Sequence, residues 1–254
     1  MKQFDLWNHA DNEIKIDYYP STFPVSRAAV LILPGGAYGG HADYEGKGYA
    51  SIINTFGMSA FVLKYRVSPN RFPLPLLDAR RAVRFVRANA EKFGIDKDKV
   101  LVMGSSAGGH LAALLSTFTH PIDGEGEDSI DDEDFFPNAQ ILCYPVISSD
   151  ETISHIDSFR NLLGNKYDEK EKFSADKLVT PKTPKAFIWH TSSDKSVSVM
   201  NSYRYAEALA SNDVPCEMHI FPIGKHGLGF AAQLPYVSAW LEMLRKWLIL
   251  NQFI

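Results

Sequence analysis

A chain of 254 residues, 45% hydrophobic and 22% charged, is long enough to bury a large core and far from the composition of a disordered segment. Its formal net charge of -4 provides no broad basic surface and argues against nucleic acid as a partner. With no apolar run at the N-terminus resembling a signal peptide, and no stretch of about 18 or more apolar residues anywhere, the expectation is a cytoplasmic protein that does not span a membrane.

Taken in chain order, Ile14, Ile16 and Tyr18 alternate with polar residues as in a half-buried strand at a sheet edge. Residues 29–33, Ala-Val-Leu-Ile-Leu, are continuously apolar, as in a central strand covered on both faces. Tyr49, Ile52, Ile53 and Phe56 then follow helical spacing and stop at Gly57, a residue suited to ending a helix. A strand is predicted at 61–65.

Leu76, Ala79, Val83, Val86, Ala90 and Phe93 form one helical stripe that ends at Gly94, with Arg80, Arg81, Arg84 and Arg87 as the polar face. Residues 100–103 resume a buried strand, a helix follows over 107–118, and further strands are predicted at 141–144, 186–189 and 216–221. Helices are expected near 199–210 and over 235–250. Buried strands separated by amphipathic helices specify a mostly parallel, doubly wound α/β sheet, because parallel strands need crossover connections. One domain over 1–254 is expected.

Two segments break the rhythm, 119–138 and 148–184, each too long for an ordinary loop. Both are expected to be surface inserts that help wall the site. The first carries Asp123, Glu125, Glu127, Asp128, Asp131, Asp132, Glu133 and Asp134. Their spacing fits no EF-hand, and a solvated acidic loop is expected, with no metal site. Cys143 and Cys216 both fall in strand-like apolar segments and are expected to be reduced core residues.

The chemistry-bearing pattern is Gly104-Ser105-Ser106-Ala107-Gly108, a GxSxG that follows a buried strand and opens a helix. That context exposes a nucleophilic serine on a tight strand-to-helix turn, with small residues two before and two after it. It selects Ser106 over Ser105. Pro34-Gly35-Gly36-Ala37, directly after the first central strand, is placed to offer backbone amides to a developing oxyanion.

The segments Ser106-Ala107-Gly108-Gly109-His110-Leu111-Ala112, Leu33-Pro34-Gly35-Gly36-Ala37-Tyr38, Leu63-Lys64-Tyr65-Arg66 and Asp78-Ala79-Arg80-Arg81-Ala82-Val83 together resemble the bacterial acetylesterase and carboxylesterase group related to hormone-sensitive lipase, which includes enzymes that deacylate xylan. The resemblance covers most of the chain and implies an α/β-hydrolase fold. By likeness to the His-Gly-Gly-Gly loop of that group, the oxyanion donors are the amides of Gly36 and Ala37, joined by that of Ala107. Proline replaces the histidine and alanine the third glycine, which still carries an amide.

Eight histidines compete for the role of general base. In this fold the acid and base follow the serine in the order Asp/Glu, His, so His9 and His41 come too early. His110 lies on the helix after the serine, and His219 inside a strand. His226, in Gly224-Lys225-His226-Gly227 after the last strand, occupies the expected place. Asp194, reached from the strand at 186–190 through Thr191-Ser192-Ser193, puts a carboxylate at a strand's carboxyl end and resembles the acid loop of the group, although Val197-Ser198 replaces its Val-Pro; Asp213 and Glu217 are the alternatives. The implied activity is hydrolysis of short acyl esters, acetyl on a sugar among them, through an acyl-serine, without a cofactor. An aryl formamidase, a peptidase of the prolyl-oligopeptidase type, and a non-catalytic relative that binds a ligand in the same pocket are the rivals.

Overall fold

The computed structural model describes residues 1–7, 14–124 and 128–254; His9, Glu125 and Glu127 lie outside them. The elements follow as β1 (Lys2–Asp5), β2 (Lys15–Tyr19), β3 (Ala29–Leu33), α1 (Asp43–Thr55), β4 (Ser59–Leu63), α2 (Leu74–Ala88), α3 (Ala90–Phe93), β5 (Val100–Ser105) and α4 (Ser106–Thr117). Then come β6 (Ala139–Cys143), α5 (Ile156–Leu163), β7 (Ala186–Thr191), α6 (Met200–Ser211), β8 (Cys216–Phe221), α7 (Pro235–Ser238) and α8 (Trp240–Leu250). Among the described residues no helix is long and apolar enough to cross a membrane.

The eight strands form one sheet in the order β1-β2-β4-β3-β5-β6-β7-β8. β2 runs antiparallel to both β1 and β4, and every other pairing is parallel. Alternation along the central strands divides the apolar residues between two faces. Leu31 and Leu33 of β3, Val100 and Val102 of β5 and Ile188 of β7 pack with α2, α4 and α6. Val30, Ile32, Leu101, Met103, Phe187 and Trp189 pack on the other side with α1 and α8. This is the doubly wound architecture that the apolar periodicity predicts.

Several details differ. The edge beside β2 is β1, whose Lys2-Gln3-Phe4-Asp5 pairs with Lys15–Tyr18 despite having no apolar alternation. Lys64 and Tyr65 leave the ladder, since β4 spans Ser59–Leu63. The helix expected over 76–93 breaks at Asn89, and that over 235–250 breaks at Ala239. Cys143 is a free, buried thiol that burial pushes up to about 12. Cys216 is free but exposed, because β8 is an edge strand.

The arginine face of α2 is not solvated. Arg80, Arg81, Arg84 and Arg87 are all buried, and the acidic insert covers them. Arg81 donates two 2.6 Å hydrogen bonds to Asp128 and lies 3.1 Å from Asp131. Arg84 reaches Asp131 at 3.6 Å and the Glu133 carbonyl at 3.0 Å, and Arg87 donates to the Phe136 carbonyl at 2.7 Å. The expectation of a solvated acidic loop therefore fails: the loop's carboxylates and carbonyls accept hydrogen bonds from buried guanidinium groups, which need partners when desolvated.

Candidate active site

β5 ends at Ser105, and Ser106 begins α4 with φ 52, a left-handed conformation that an L-residue adopts only under constraint. The flanking glycines explain how the turn closes. A Cβ on Gly104 would lie 2.1 Å from the Gly108 carbonyl oxygen, and one on Gly108 would lie 2.0 Å from that of Leu33. Both approaches require glycine.

β3 pairs with β5 so that Leu33 stands opposite Gly104, and the Pro34-Gly35-Gly36-Ala37 turn therefore emerges beside the serine. Gly36 has φ 136 and Ala37 φ 55. The Pro34 carbonyl accepts from the Tyr65 hydroxyl at 2.7 Å, the Gly35 amide donates to Glu45 Oε2 at 2.7 Å, and the Ala37 carbonyl accepts from Asn161 Nδ2 at 2.9 Å. Among the described residues, none of the Gly36, Ala37 and Ala107 amides donates to a backbone acceptor in a turn or loop.

The structure brings three predicted residues into one line. His226, on the loop after β8 between Gly224 (φ 145) and Gly227 (φ 73), places Nε2 2.8 Å from Ser106 Oγ. Its Nδ1 lies 2.7 Å from Asp194 Oδ2. Asp194 Oδ1 accepts from the amides of Ser196 and Val197 at 2.9 and 3.0 Å. Burial works to raise this carboxyl, but hydrogen bonds from His190, His226 and Val197 outweigh it and hold Asp194 well below the usual carboxylate range. Asp194 is thus an acceptor only, which puts the Nδ1 proton on His226 and leaves Nε2 to accept from the serine hydroxyl.

The other candidates lie elsewhere. His219 pairs with Glu217 at 2.8 Å on β8, and Asp213 sits in the turn before that strand with φ 57. His110 is buried in α4 between the Tyr38 hydroxyl and the Phe173 carbonyl, and burial lowers it to about 4.

Four residues escape the sequence reading. His190, the penultimate residue of β7, lies with Nε2 3.3 Å from Asp194 Oδ2 and 3.1 Å from the Val197 carbonyl, so this nitrogen carries the proton and Nδ1 accepts from Ser202 Oγ at 2.8 Å. A histidine inside an apolar strand four residues before the acid was the available signal. Glu45, in the first turn of α1, is buried, and burial raises its carboxyl against the hydrogen bonds of Tyr144 and Gly35. Tyr144 sets its ring edge-on to His226, centroids 5.1 Å apart. His155 lies in the second insert, its imidazole lowered by burial and by the neighbouring His226. Nothing in the letters marks Glu45, Tyr144 or His155.

Ser106 and His226 open into a cavity of about 270 Å³ whose wall includes Gly36, Ala37, Tyr44, Glu45 and His155. The second insert thus contributes His155, while among the described residues the first contributes nothing to this cavity and packs on α2 instead. Among the described residues no group of three or more His, Cys, Asp or Glu side chains could hold a metal ion. The arrangement can take a proton from a serine hydroxyl.

Comparison with known proteins places the chain in a family. The chain is 37% identical over 250 residues to endo-1,4-beta-xylanase B of Butyrivibrio fibrisolvens, covering 93% of this chain and 39% of that protein. It is 32% identical over 259 residues to the acetylxylan esterase of Xylanibacter ruminicola, covering 97% of this chain and 50% of that one. The chain therefore spans half or less of the length of these relatives. The crystal structure of an acetyl ester-xyloside bifunctional hydrolase from Caldicellulosiruptor lactoaceticus superposes with a TM-score of 0.93 at 38% identity, covering 100% of this chain and 97% of that one. The fold is that of an α/β hydrolase, and with the BD-FAE family model matching residues 16–209, the chain belongs to the BD-FAE family.

Proposed function

We propose that the protein is a serine esterase that hydrolyses short acyl esters, acetyl above all, including those carried on carbohydrates. The observation that carries this reading is the unbroken line of hydrogen bonds from Ser106 through His226 to Asp194, at 2.8 and 2.7 Å. The named activities of the acetylxylan esterase and the acetyl ester-xyloside hydrolase support the acetyl and sugar parts. Two free thiols support a cytoplasmic location.

In this reading Ser106 Oγ attacks the ester carbonyl while His226 Nε2 takes its proton. The amides of Gly36, Ala37 and Ala107 receive the charge that develops on the carbonyl oxygen. Asp194 stays ionised and stabilises the imidazolium. That imidazolium then returns its proton to the departing alcohol, leaving an acyl-serine. Water, deprotonated by His226, attacks the acyl-serine and releases the acid, and the proton passes back to Ser106.

A fluorophosphonate probe tests the reading directly. The purified chain is expected to label stoichiometrically, and Ser106→Ala to abolish both labelling and hydrolysis of acetyl esters. A chain that does not label, or a Ser106→Ala variant that still does, removes the esterase assignment and favours a ligand-binding relative. Among acetyl, butyryl and octanoyl esters, a preference for the longest chain defeats the acetyl part of the proposal.

A further inference from the structure

Glu45 is buried, yet among the described residues it forms no ion pair with a lysine or arginine. A carboxylate removed from water without a cation is costly and persists where strong donors converge on it. Here they do. The Gly35 amide donates to Oε2 at 2.7 Å and the Tyr144 hydroxyl donates to Oε1 at 2.6 Å. The carboxylate also sits in the first turn of α1, where the helix dipole favours negative charge.

The Tyr144 hydroxyl is the junction of a longer chain. Its oxygen accepts from the Gly229 amide at 2.9 Å and lies 3.1 Å from the Tyr49 hydroxyl, which in turn accepts from Ser105 Oγ at 3.0 Å. With Tyr144 already donating to Glu45, the Tyr49 proton points to Tyr144. The hydroxyls of Ser105, Tyr49 and Tyr144 thus form one chain that ends on Glu45. Tyr144 itself is held at φ 37, a left-handed backbone for an aromatic residue, so its place is maintained against strain.

The network ends at three segments of the site. Gly35 lies in the turn whose next two residues line one cavity with Ser106, Ser105 directly precedes Ser106, Gly229 lies three residues after His226, and the Tyr144 ring packs edge-on against His226. Close approach is built into the backbone, since a Cβ on Gly35 would stand 2.7 Å from Glu45 Oε2 and 3.0 Å from Ser106 Cβ.

We infer that Glu45, with Tyr144, is a positioning residue for ester hydrolysis, acting as the buried, hydrogen-bonded anchor that fixes the oxyanion turn, the nucleophile turn and the His226 loop relative to one another. The inference rests on the esterase reading above. Neither residue exchanges a proton with substrate; their contribution is to keep the amides of Gly36 and Ala37 and the Ser106 hydroxyl at their mutual spacing, on which turnover depends steeply.

Glu45→Gln, Tyr144→Phe and the double variant test it on the purified full chain with p-nitrophenyl acetate as probe. Each folded single variant is expected to lower kcat about 10-fold to 100-fold with KM within about twofold, since mispositioning near the reacting atoms carries losses of that order. The double variant is expected to fall little below the worse single variant, because residues that act as one unit are not additive. Should Glu45→Gln fail to fold, Tyr144→Phe carries the kcat test alone, because it leaves the Gly35 bond to Glu45 in place. A folded variant with kcat within twofold of the parent overturns the inference, as does a double loss equal to the product of the two single losses. Failure of the esterase reading itself is distinguishable, because then the parent chain does not turn over the ester at all.

Discussion

His190 and His226 converge on the same oxygen of Asp194, at 3.3 and 2.7 Å. The carboxylate is thereby held from two directions, one imidazole belonging to the rigid end of β7 and the other to a glycine-flanked loop. Removing His190 leaves Asp194 with a free edge and the Ser202 hydroxyl without its acceptor. His190→Ala is expected to destabilise the fold by about 1–3 kcal/mol, the range for leaving buried polar groups unpaired, and to lower kcat less than any change at Asp194. Chemical denaturation and steady-state kinetics on an aryl acetate measure both.

Asp194→Asn presents an amide N–H toward His226 Nδ1 and so moves the imidazole proton to Nε2, where it faces the serine instead of accepting from it. Turnover is expected to fall roughly 10⁴-fold, the size of loss associated with the wrong tautomer in such a system. The rate of fluorophosphonate labelling should fall with it, while thermal unfolding still gives one cooperative transition. A variant retaining more than a tenth of the parent kcat would place the orienting carboxylate elsewhere.

The Gly108 position is predicted to accept no side chain. An alanine Cβ there would stand 2.0 Å from the Leu33 carbonyl oxygen and 2.5 Å from that of Pro34, so the nucleophile turn must move away from the oxyanion turn. Gly108→Ala should lose soluble expression or, where folded, lose labelling at Ser106. Normal labelling would show that the turn relaxes more cheaply than its contacts imply.

His110 makes stability depend on pH. Its imidazole is neutral in the folded chain and takes a proton only near 4, whereas in the unfolded chain it does so near 6.5. Between those values the unfolded state binds the extra proton, so stability is complete above about 6.5 and declines as the pH falls toward 4, by up to about 3 kcal/mol. Urea denaturation across this window should show the decline, and His110→Gln, though less stable at neutral pH, should flatten it.

The contact of the first insert with α2 predicts a separation of stability from activity. Arg81 and Asp131 are both almost fully buried at their 3.1 Å contact, and removing one charge leaves the other without compensation. Asp131→Asn is expected to cost about 2–4 kcal/mol, somewhat below the figure for breaking an isolated buried pair because Asp128 still holds Arg81. The kcat of the folded fraction should not change, since Asp131 does not line the cavity.

Much of this molecule can be read in its letters where burial imposes a period. The all-apolar runs of β3, β5, β6 and β7 and the stripe of α2 mark themselves, as do Gly104 and Gly108 around Ser106. Other features cannot be read this way. β1 is a polar edge whose pairing is decided by β2. The arginines of α2 have the spacing of a solvent-facing stripe, and only the folded chain brings Asp128 and Asp131 over them. Glu45 looks like any surface carboxylate of a helix, because its burial is set by loops 10 and 99 residues away. Chain order pointed to Asp194 and His226; it had no means of pointing to the groups that hold them still.

The pairing of β3 with β5 through Leu33 and Gly104 has a further consequence. The serine and its neighbouring amides hang from two adjacent strands at the centre of the sheet, whereas the histidine hangs from β8, a half-exposed strand at its margin. Loosening begins where protection is least. Under mild heat or denaturant, the margin should drift before the centre, giving a protein that has lost its proton acceptor while the cradle for a charged oxygen stays intact.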